Sequence, residues 1–220
     1  MRYAFFSRRL LLALAAAMIT PARAADPDAD LLRAAARGDA TEIRRLIAAG
    51  AKVDTRDQRG RTALLLATHR NHVEAARALI AAGADVNAKD DMSDSPFLYA
   101  GAEGRLEILE MTLAGADLKS TNRYGGTALI PACHHGHVEV VRALLKTPID
   151  INHVNKLGWT ALLEAVILGD GGAVHTEIVR LLVEAGADVD LPDREGTPLA
   201  HARRRGFSAI ARILRAAGAR

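Results

Sequence analysis

A segment of about 33 residues recurs along this chain, and this repetition constrains the fold more than any other feature of the sequence. The segment at residues 83–86, which begins with Gly-Ala-Asp, returns in similar form at residues 50–53, 115–118 and 186–189. Sequences that repeat every 20 to 50 residues or so, about the length of one helix pair, fold as stacked units. A second marker is a hydroxyl residue that recurs at spacings of 33, 32, 33 and 37 residues, as Thr62, Ser95, Thr127, Thr160 and Thr197.

One copy, residues 60–87, explains why these residue types recur. Thr62 precedes the apolar residues 63–67, where its hydroxyl can cap the first free N–H groups of a short helix. Asn71 can adopt the left-handed conformation that ends this helix, and residues 73–80 place their apolar side chains on one face of a second helix. One such hairpin cannot bury its apolar face alone, so neighbouring copies have to stack.

The copies resemble the ankyrin repeat. The family pattern T-P-L-H-x-A is similar to residues 197–202, G-H-x-E-I-V is similar to residues 136–141, and G-A-D-V-N matches residues 83–87. The resemblance implies an all-α solenoid of about six helix-turn-helix repeats with short β-turn tips. It also implies a concave groove that binds proteins, and no reaction. The expected repeats are approximately 26–57, 58–90, 91–121, 122–154, 155–192 and 193–220.

Residues 1–24 are predicted to be a cleaved signal peptide. Three arginines precede the apolar residues 10–19, and residues 22–24 form an A-x-A cleavage site. The apolar run is too short to span a bilayer, and no other segment reaches the roughly 18 consecutive apolar residues that a spanning helix needs. We therefore expect a domain at residues 25–220, a periplasmic location and no membrane insertion of the mature chain.

The export route has two interpretations. The general secretory route fits the short segment before the apolar run and is favoured, whereas Arg8 and Arg9 also resemble a twin-arginine signal. Removal of the leader takes away four arginines and no acids, so the formal net charge changes from +3 to −1, with 25 basic against 26 acidic residues. The charge therefore gives no reason to expect a nucleic-acid partner.

The cluster at residues 133–137 allows an alternative function, a metal-binding stress protein. Cys133, His134, His135 and His137 carry the thiolate and imidazole groups that bind zinc or copper. The repeat explains the cluster without a metal, because His137 matches a structural histidine of the family and Cys133 lies where other copies carry compact side chains. We therefore expect no metal site and no cofactor.

The sequence contains no recognisable catalytic motif. G-x-S-x-G, H-E-x-x-H and a phosphate-binding loop do not occur in it. The glycine-rich residues 169–172 are not followed by a lysine or by a dinucleotide-binding pattern. We therefore predict that the protein is not an enzyme.

Three copies depart from the repeat. The turn at residues 91–94 lacks the usual glycine, and Pro131 is expected to remove a backbone hydrogen bond from the fourth copy. The fifth copy contains five extra residues around residues 169–175. This insertion is either a tolerated loop or a finger that enlarges the binding surface.

Binding through the concave groove is the favoured function. By resemblance, the contact positions lie at the tips and at the ends of the inner helices, and Tyr124, Trp159 and the arginines are residue types that form interface hot spots. Trp159 could equally cover the enlarged fifth copy. The predicted partner-binding residues are Arg59, Arg61, His69, Arg70, Met92, Asp94, Glu103, Tyr124, His134, His135, Leu157, Trp159, Ile167 and Leu168.

The sequence therefore predicts a monomeric periplasmic scaffold for a protein or peptide partner, such as an exported enzyme that it protects or inhibits. The aromatic tips and the insertion of copies four and five are expected at the centre of the groove. The arginine-rich last copy is interpreted as a solvated outer face rather than as a docking patch for an acidic partner. A purely structural oligomer is disfavoured, because arginine-rich ends repel one another.

The leader generates a testable prediction. Mass spectrometry of the exported protein should find Ala25 as the first residue, because a peptidase that recognises A-x-A cleaves after Ala24. Ala24→Phe should block cleavage, whereas the small-residue control Ala24→Ser should be processed. An exported protein that begins at another residue would contradict the assignment.

Overall fold

A computed structural model describes residues 26–220, which form twelve α-helices arranged as six antiparallel pairs. No named strand occurs among these residues, and one isolated antiparallel bridge joins Arg56 to Thr62. The predicted all-α solenoid of about six helix-turn-helix repeats is confirmed. The predicted signal peptide at residues 1–24 lies outside the described residues.

Each repeat contains an inner helix, which follows the tip, and an outer helix. Every inner helix contacts the next inner helix and every outer helix contacts the next outer helix, so the apolar core runs through the whole stack. No helix within residues 26–220 is long and apolar enough to cross a membrane. The pairs are α1 (Pro27–Arg37) with α2 (Ala40–Ala48), α3 (Ala63–His69) with α4 (Val73–Ala81), α5 (Pro96–Ala102) with α6 (Leu106–Thr112), α7 (Leu129–His134) with α8 (Val138–Leu144), α9 (Ala161–Ile167) with α10 (Ala173–Glu184), and α11 (Pro198–Arg204) with α12 (Ser208–Ala216).

Hydroxyl side chains cap four of the inner helices, as the sequence predicted. The side-chain oxygens of Thr62, Ser95, Thr160 and Thr197 each accept a hydrogen bond from the backbone N–H three residues later, at 3.1–3.3 Å. Each bond satisfies one of the N–H groups that have no partner within the helix.

The fourth inner helix begins differently, and Pro131 is the cause. In the second repeat, the N–H of Leu66 donates to the carbonyl of Thr62 at 3.0 Å. Pro131 occupies the equivalent position and has no N–H, so the Thr127 carbonyl accepts from Ile130 instead, at 3.3 Å. The buried Thr127 hydroxyl has no hydrogen-bond partner in the described part of the chain. The expected loss of a backbone hydrogen bond is confirmed.

Ser93 takes the place of glycine in the third tip. Its φ of 63° lies in the left-handed region, like the φ angles of 72°, 75° and 84° at Gly60, Gly125 and Gly158. Two backbone N–H groups of this turn donate to Asp90 Oδ1 at 2.9 and 3.0 Å and stabilise the strained conformation. The third tip therefore keeps the backbone geometry of its neighbours without a glycine.

The inserted residues of the fifth repeat lengthen its outer helix. Helix α10 has twelve residues, whereas α4 has nine. In the added turn, the largely buried His175 places Nε2 2.9 Å from the backbone oxygen of His134 in the preceding repeat. In the second repeat, His72 Nε2 makes the matching contact with the oxygen of Ala36, at 3.3 Å. The insertion is packed against its neighbour, which supports a tolerated insertion over a projecting finger.

The difference between the two kinds of helix start predicts a difference in stability. We expect Thr62→Val to lower the free energy of unfolding by about 1 kcal/mol or more, because the buried N–H of Leu65 loses its acceptor. Thr127→Val should be neutral or stabilising, because that hydroxyl is buried without a partner among residues 26–220.

Urea unfolding of the two variants and the parent measures this difference. Each substitution keeps the volume and the β-branch of the side chain, so each variant serves as the packing control for the other. Equal losses of stability in both would contradict the assignment of the caps.

Candidate binding groove

One aspartate or asparagine side chain holds each of five tips. Its Oδ1 accepts two backbone N–H groups of the turn at 2.8–3.0 Å, in Asp57, Asp90, Asn122, Asn155 and Asp193. Such side-chain to backbone bonds fix a turn locally. The residue two positions later therefore occupies an equivalent place in each tip, and these residues are Arg59, Met92, Tyr124, Leu157 and Glu195.

Three successive tips expose apolar side chains at this place. Met92, Tyr124 and Leu157 are 52%, 52% and 53% exposed. The Arg123 guanidinium lies over the Tyr124 ring, with its carbon 4.8 Å from the ring centroid. Exposed apolar side chains that lie together mark interaction surfaces more often than scattered ones do.

Three clefts follow one another between the tips and the inner helices of repeats three to six. Cleft A, between repeats three and four, has a volume of about 290 Å³; cleft B, between repeats four and five, about 130 Å³; and cleft C, between repeats five and six, about 400 Å³. Tyr124 lines clefts A and B, and Leu157 and Trp159 line clefts B and C. Because they share walls, the clefts form one groove.

Eight of the predicted binding residues line this groove. Cleft A contains Asp94, Glu103, Tyr124 and His135; cleft B contains Tyr124, Leu157, Trp159 and Leu168; and cleft C contains Leu157, Trp159 and Ile167.

The other six predicted residues line none of the three clefts. Arg61 pairs with Asp57 at 2.7 Å, and the His69 ring stacks on Tyr99 with 4.0 Å between the centroids. His134 lies at the end of its helix, and the remaining three, Arg59, Arg70 and Met92, are exposed.

The insertion was expected at the centre of the groove. Residues 169–175 follow the C-terminal end of α9, whereas the tip precedes its N-terminal end. The insertion and the tip therefore lie at opposite ends of a helix, and residues 169–175 line none of the three clefts.

Cleft C contains a carboxylate that sequence analysis missed. Trp159 Nε1 donates to Asp193 Oδ2 at 3.1 Å, and His201 Nε2 lies 2.9 Å from Asp193 Oδ1. A guanidinium can only donate, so the 2.7 Å contact between Arg204 and His201 Nδ1 places the imidazole proton on Nε2. Burial opposes ionisation of Asp193, but hydrogen bonds from His201 and from the turn outweigh burial and lower its pKa. The sixth repeat therefore orients Trp159, which lines both cleft B and cleft C.

Cleft B contains a second such residue, Glu164, whose side chain is only 9% exposed. Its Oε1 accepts from Asn155 Nδ2 at 2.9 Å, and its Oε2 lies 3.9 Å from His134 Nδ1, beyond hydrogen-bond distance. Burial raises the pKa of Glu164, although the bond from Asn155 opposes the shift. Burial, helped by His135 and His175, lowers the pKa of His134. Among residues 26–220, His134 is therefore the one basic side chain within 4.0 Å of the Glu164 carboxylate, and burial disfavours its charged form.

A signal for Glu164 was present in the sequence. The fifth inner helix reads Ala-Leu-Leu-Glu-Ala-Val-Ile, in which one acid interrupts an apolar run. Asn155 lies five residues before the capping Thr160, and Asp193 lies four residues before Thr197, but the contacts that they make across the tip require the folded geometry.

The geometry gives no support to the metal-binding alternative. The Cys133 thiol lies in the core, and burial raises its pKa well above its usual range, whereas a metal ligand needs the thiolate. His135 Nδ1 donates to the carbonyl of Ala102 at 2.7 Å. Within residues 26–220, no group of three or more His, Cys, Asp or Glu side chains is arranged to hold a metal ion.

A family model described as ankyrin repeats (3 copies) matches residues 31–122, 97–193 and 150–220 of the chain. The chain belongs to the ankyrin repeat family. Ankyrin repeats are generally protein–protein interaction modules and typically non-enzymatic.

Similar proteins include bacterial ankyrin repeat proteins of nearly the same length. An ankyrin repeat domain from Acinetobacter baumannii AYE has a crystal structure with a TM-score of 0.85 and 56% identity, over 87% of this chain and 98% of that chain. A second solved ankyrin repeat protein has a TM-score of 0.82 and 44% identity, over 86% and 97%. The ankyrin repeat protein YahD of Escherichia coli (strain K12) is 44% identical over 194 residues, which are 87% of this chain and 96% of YahD.

The buried carboxyl of Glu164 generates a prediction on stability. Its pKa is raised in the folded state, so its contribution to stability is full below the unfolded-state pKa and is lost as the pH rises through the folded-state pKa. We therefore expect Glu164→Gln to unfold at a higher urea concentration than the parent at neutral pH. The difference should vanish below the ordinary pKa of glutamic acid, because the protonated carboxyl then resembles the amide.

The pH series supplies its own control, because the same two proteins are compared at every pH. A variant that is less stable than the parent at neutral pH, or a difference that does not change with pH, would contradict the analysis of this residue.

Proposed function

We propose that this protein is a non-enzymatic scaffold that binds a protein or peptide partner through the groove formed by clefts A, B and C. One observation carries the proposal: clefts A and B share Tyr124 as a wall, and clefts B and C share Leu157 and Trp159, so a single partner segment can contact all three clefts. Membership of the ankyrin repeat family supports protein binding as the general activity.

The form of the groove supports a polypeptide as the partner. Ligand pockets are usually clefts or cavities of about 300 to 1,000 Å³ that bury most of a small molecule. Clefts A and B are smaller than this, at about 290 and 130 Å³, and continue into cleft C. An elongated groove with exposed aromatic and aliphatic walls suits an extended segment or a loop of a folded protein.

We further propose that the protein acts in the periplasm as a monomer, after removal of residues 1–24. The leader pattern supports export, because a basic segment, an apolar run and an A-x-A site follow one another. The six arginines of residues 197–220 support a monomer, because they would repel a second stack placed end to end. A suitable class of partner is an exported enzyme that the scaffold protects or inhibits.

Site-specific photo-crosslinking in the periplasm of the native host tests the groove. A crosslinking amino acid at Leu157 should capture one protein, whereas the same amino acid at Val154 should not. Val154 is a matched control, because it lies three residues before Leu157, is 49% exposed and lines none of the three clefts. Capture of the same set of proteins at both positions would count against the groove.

Substitutions then measure the energy of the contact. Tyr124→Ala and Leu157→Ala should each weaken binding of the captured partner by about tenfold or more in calorimetric titration, because large exposed side chains in a groove act as hot spots. Val154→Ala should change the affinity less than about twofold, and circular dichroism checks that all three variants fold. Undiminished affinity in both groove variants would overturn the proposal.

A further inference from the structure

The inner helices differ at one position that faces the groove, four residues after the capping hydroxyl. In repeats three to six, the residue at this position lines a cleft. From repeat two to repeat six the position is occupied by Leu66, Tyr99, Pro131, Glu164 and His201. The fifth repeat therefore places the one carboxyl of this series in the wall of cleft B.

The fifth and sixth repeats stabilise a buried polar side chain in different ways. In the sixth repeat, the His201 imidazole donates to the carboxylate of Asp193 at 2.9 Å and accepts from the Arg204 guanidinium at 2.7 Å, so the network of this carboxylate contains a cation. In the fifth repeat, Asn155 stands at the position of Asp193 and donates an amide N–H to Glu164 at 2.9 Å. An amide satisfies one oxygen of the carboxylate but does not balance its charge. A buried carboxylate without a counter-charge is unstable relative to one that is paired.

The second carboxylate oxygen of Glu164, Oε2, receives no hydrogen bond from residues 26–220. The nearest basic group, His134 Nδ1, lies 3.9 Å from Oε2, which is too far for a hydrogen bond. The Glu164 side chain is more than nine-tenths buried and lines cleft B, so a cation that enters this cleft would reach it. Arg123, the nearby cation that lies over Tyr124, lines cleft A and not cleft B.

The other walls of cleft B suit the stem and the charge of a cationic side chain. Tyr124 and Trp159 supply aromatic rings, and ring faces attract cations. Leu157 and Leu168 supply aliphatic surface, on which the methylene groups of lysine or arginine pack. The volume of about 130 Å³ holds the end of one side chain and is too small for a whole ligand, since ligand pockets start at about 300 Å³.

We propose that cleft B binds one cationic side chain of the partner, a lysine or an arginine, with its charged end at Glu164 Oε2 and its stem between Tyr124, Leu157 and Trp159. The inference rests on the proposed function, because the side chain belongs to the protein held in the groove. It specifies one contact of the partner, a basic residue at the junction of repeats four and five.

Small mimics of the two side chains test this site without a partner. The protein is titrated with n-butylammonium and n-butylguanidinium, and binding is followed by the fluorescence of Trp159, the one tryptophan of the chain, and by the NMR shift of its indole N–H. We expect saturable binding with a dissociation constant on the order of millimolar, as for a ligand of about five to eight heavy atoms. Neutral n-butanol should bind at least about tenfold more weakly.

Glu164→Gln separates charge from shape. The amide has the size of the carboxyl and can still accept the N–H of Asn155, so the cleft keeps its form. This variant should lose about tenfold or more of its affinity for both cations and keep its weak affinity for n-butanol. Glu110→Gln, which removes an exposed acid from the outer helix α6 and lies in none of the three clefts, should bind both cations as the parent does. Circular dichroism confirms that both variants fold.

Three results would overturn the inference: equal binding of n-butylammonium and n-butanol, undiminished cation binding by Glu164→Gln, or no saturable binding of either cation. The partner experiment distinguishes this failure from failure of the proposed function. If the partner crosslinks at Leu157 but binds Glu164→Gln as tightly as the parent, the result supports binding in the groove and contradicts the cation site. If the cations bind at Glu164 but no partner crosslinks at Leu157, the result supports the cation site and contradicts the protein-binding proposal.

Discussion

In five successive tips, one aspartate or asparagine side chain accepts two backbone N–H groups, and the position of the groove depends on this arrangement. In repeats two to five this residue lies five positions before the hydroxyl residue, so the bonds place the residue two positions later in register from repeat to repeat. The sixth tip is one residue shorter. Helix stacking alone would bury the core and leave the tips free to vary. The tips therefore convert a regular stack of helix pairs into a surface with defined walls.

Local chemistry made much of this fold predictable. The capping hydroxyls, the left-handed residues and the missing N–H of Pro131 act within a few residues of the chain, so the sequence indicates them directly. The expectation for the turn at residues 91–94 was incomplete, because Asp90 allows Ser93 to adopt the conformation that glycine adopts elsewhere. The insertion could not be placed from sequence, because its course depends on the contact of His175 with the preceding repeat.

The candidate site was predictable only in part, because some of its residues act through contacts with distant parts of the chain. Tyr124, Leu157 and Trp159 occupy repeat positions that face the groove, and these positions can be read from the period. Glu164 and Asp193 act through partners on another element of the fold, so a linear pattern does not reveal their contacts. Neighbouring repeats thus differ in charge: in the sixth, Asp193 belongs to a network with His201 and the Arg204 guanidinium, whereas in the fifth Glu164 is bonded to the amide of Asn155. This difference gives one end of an otherwise regular groove a distinct chemistry.

We infer that a partner occupies the groove of repeats three to six. Hydrogen–deuterium exchange of the backbone, measured with and without the captured partner, tests it most directly. We expect slower exchange in the tips at residues 122–126 and 155–159 when the partner is bound, and unchanged exchange in the outer helices α4 and α8. Protection confined to the outer helices, with no change in these two tips, would contradict the account, because it would place the partner on the opposite face of the solenoid.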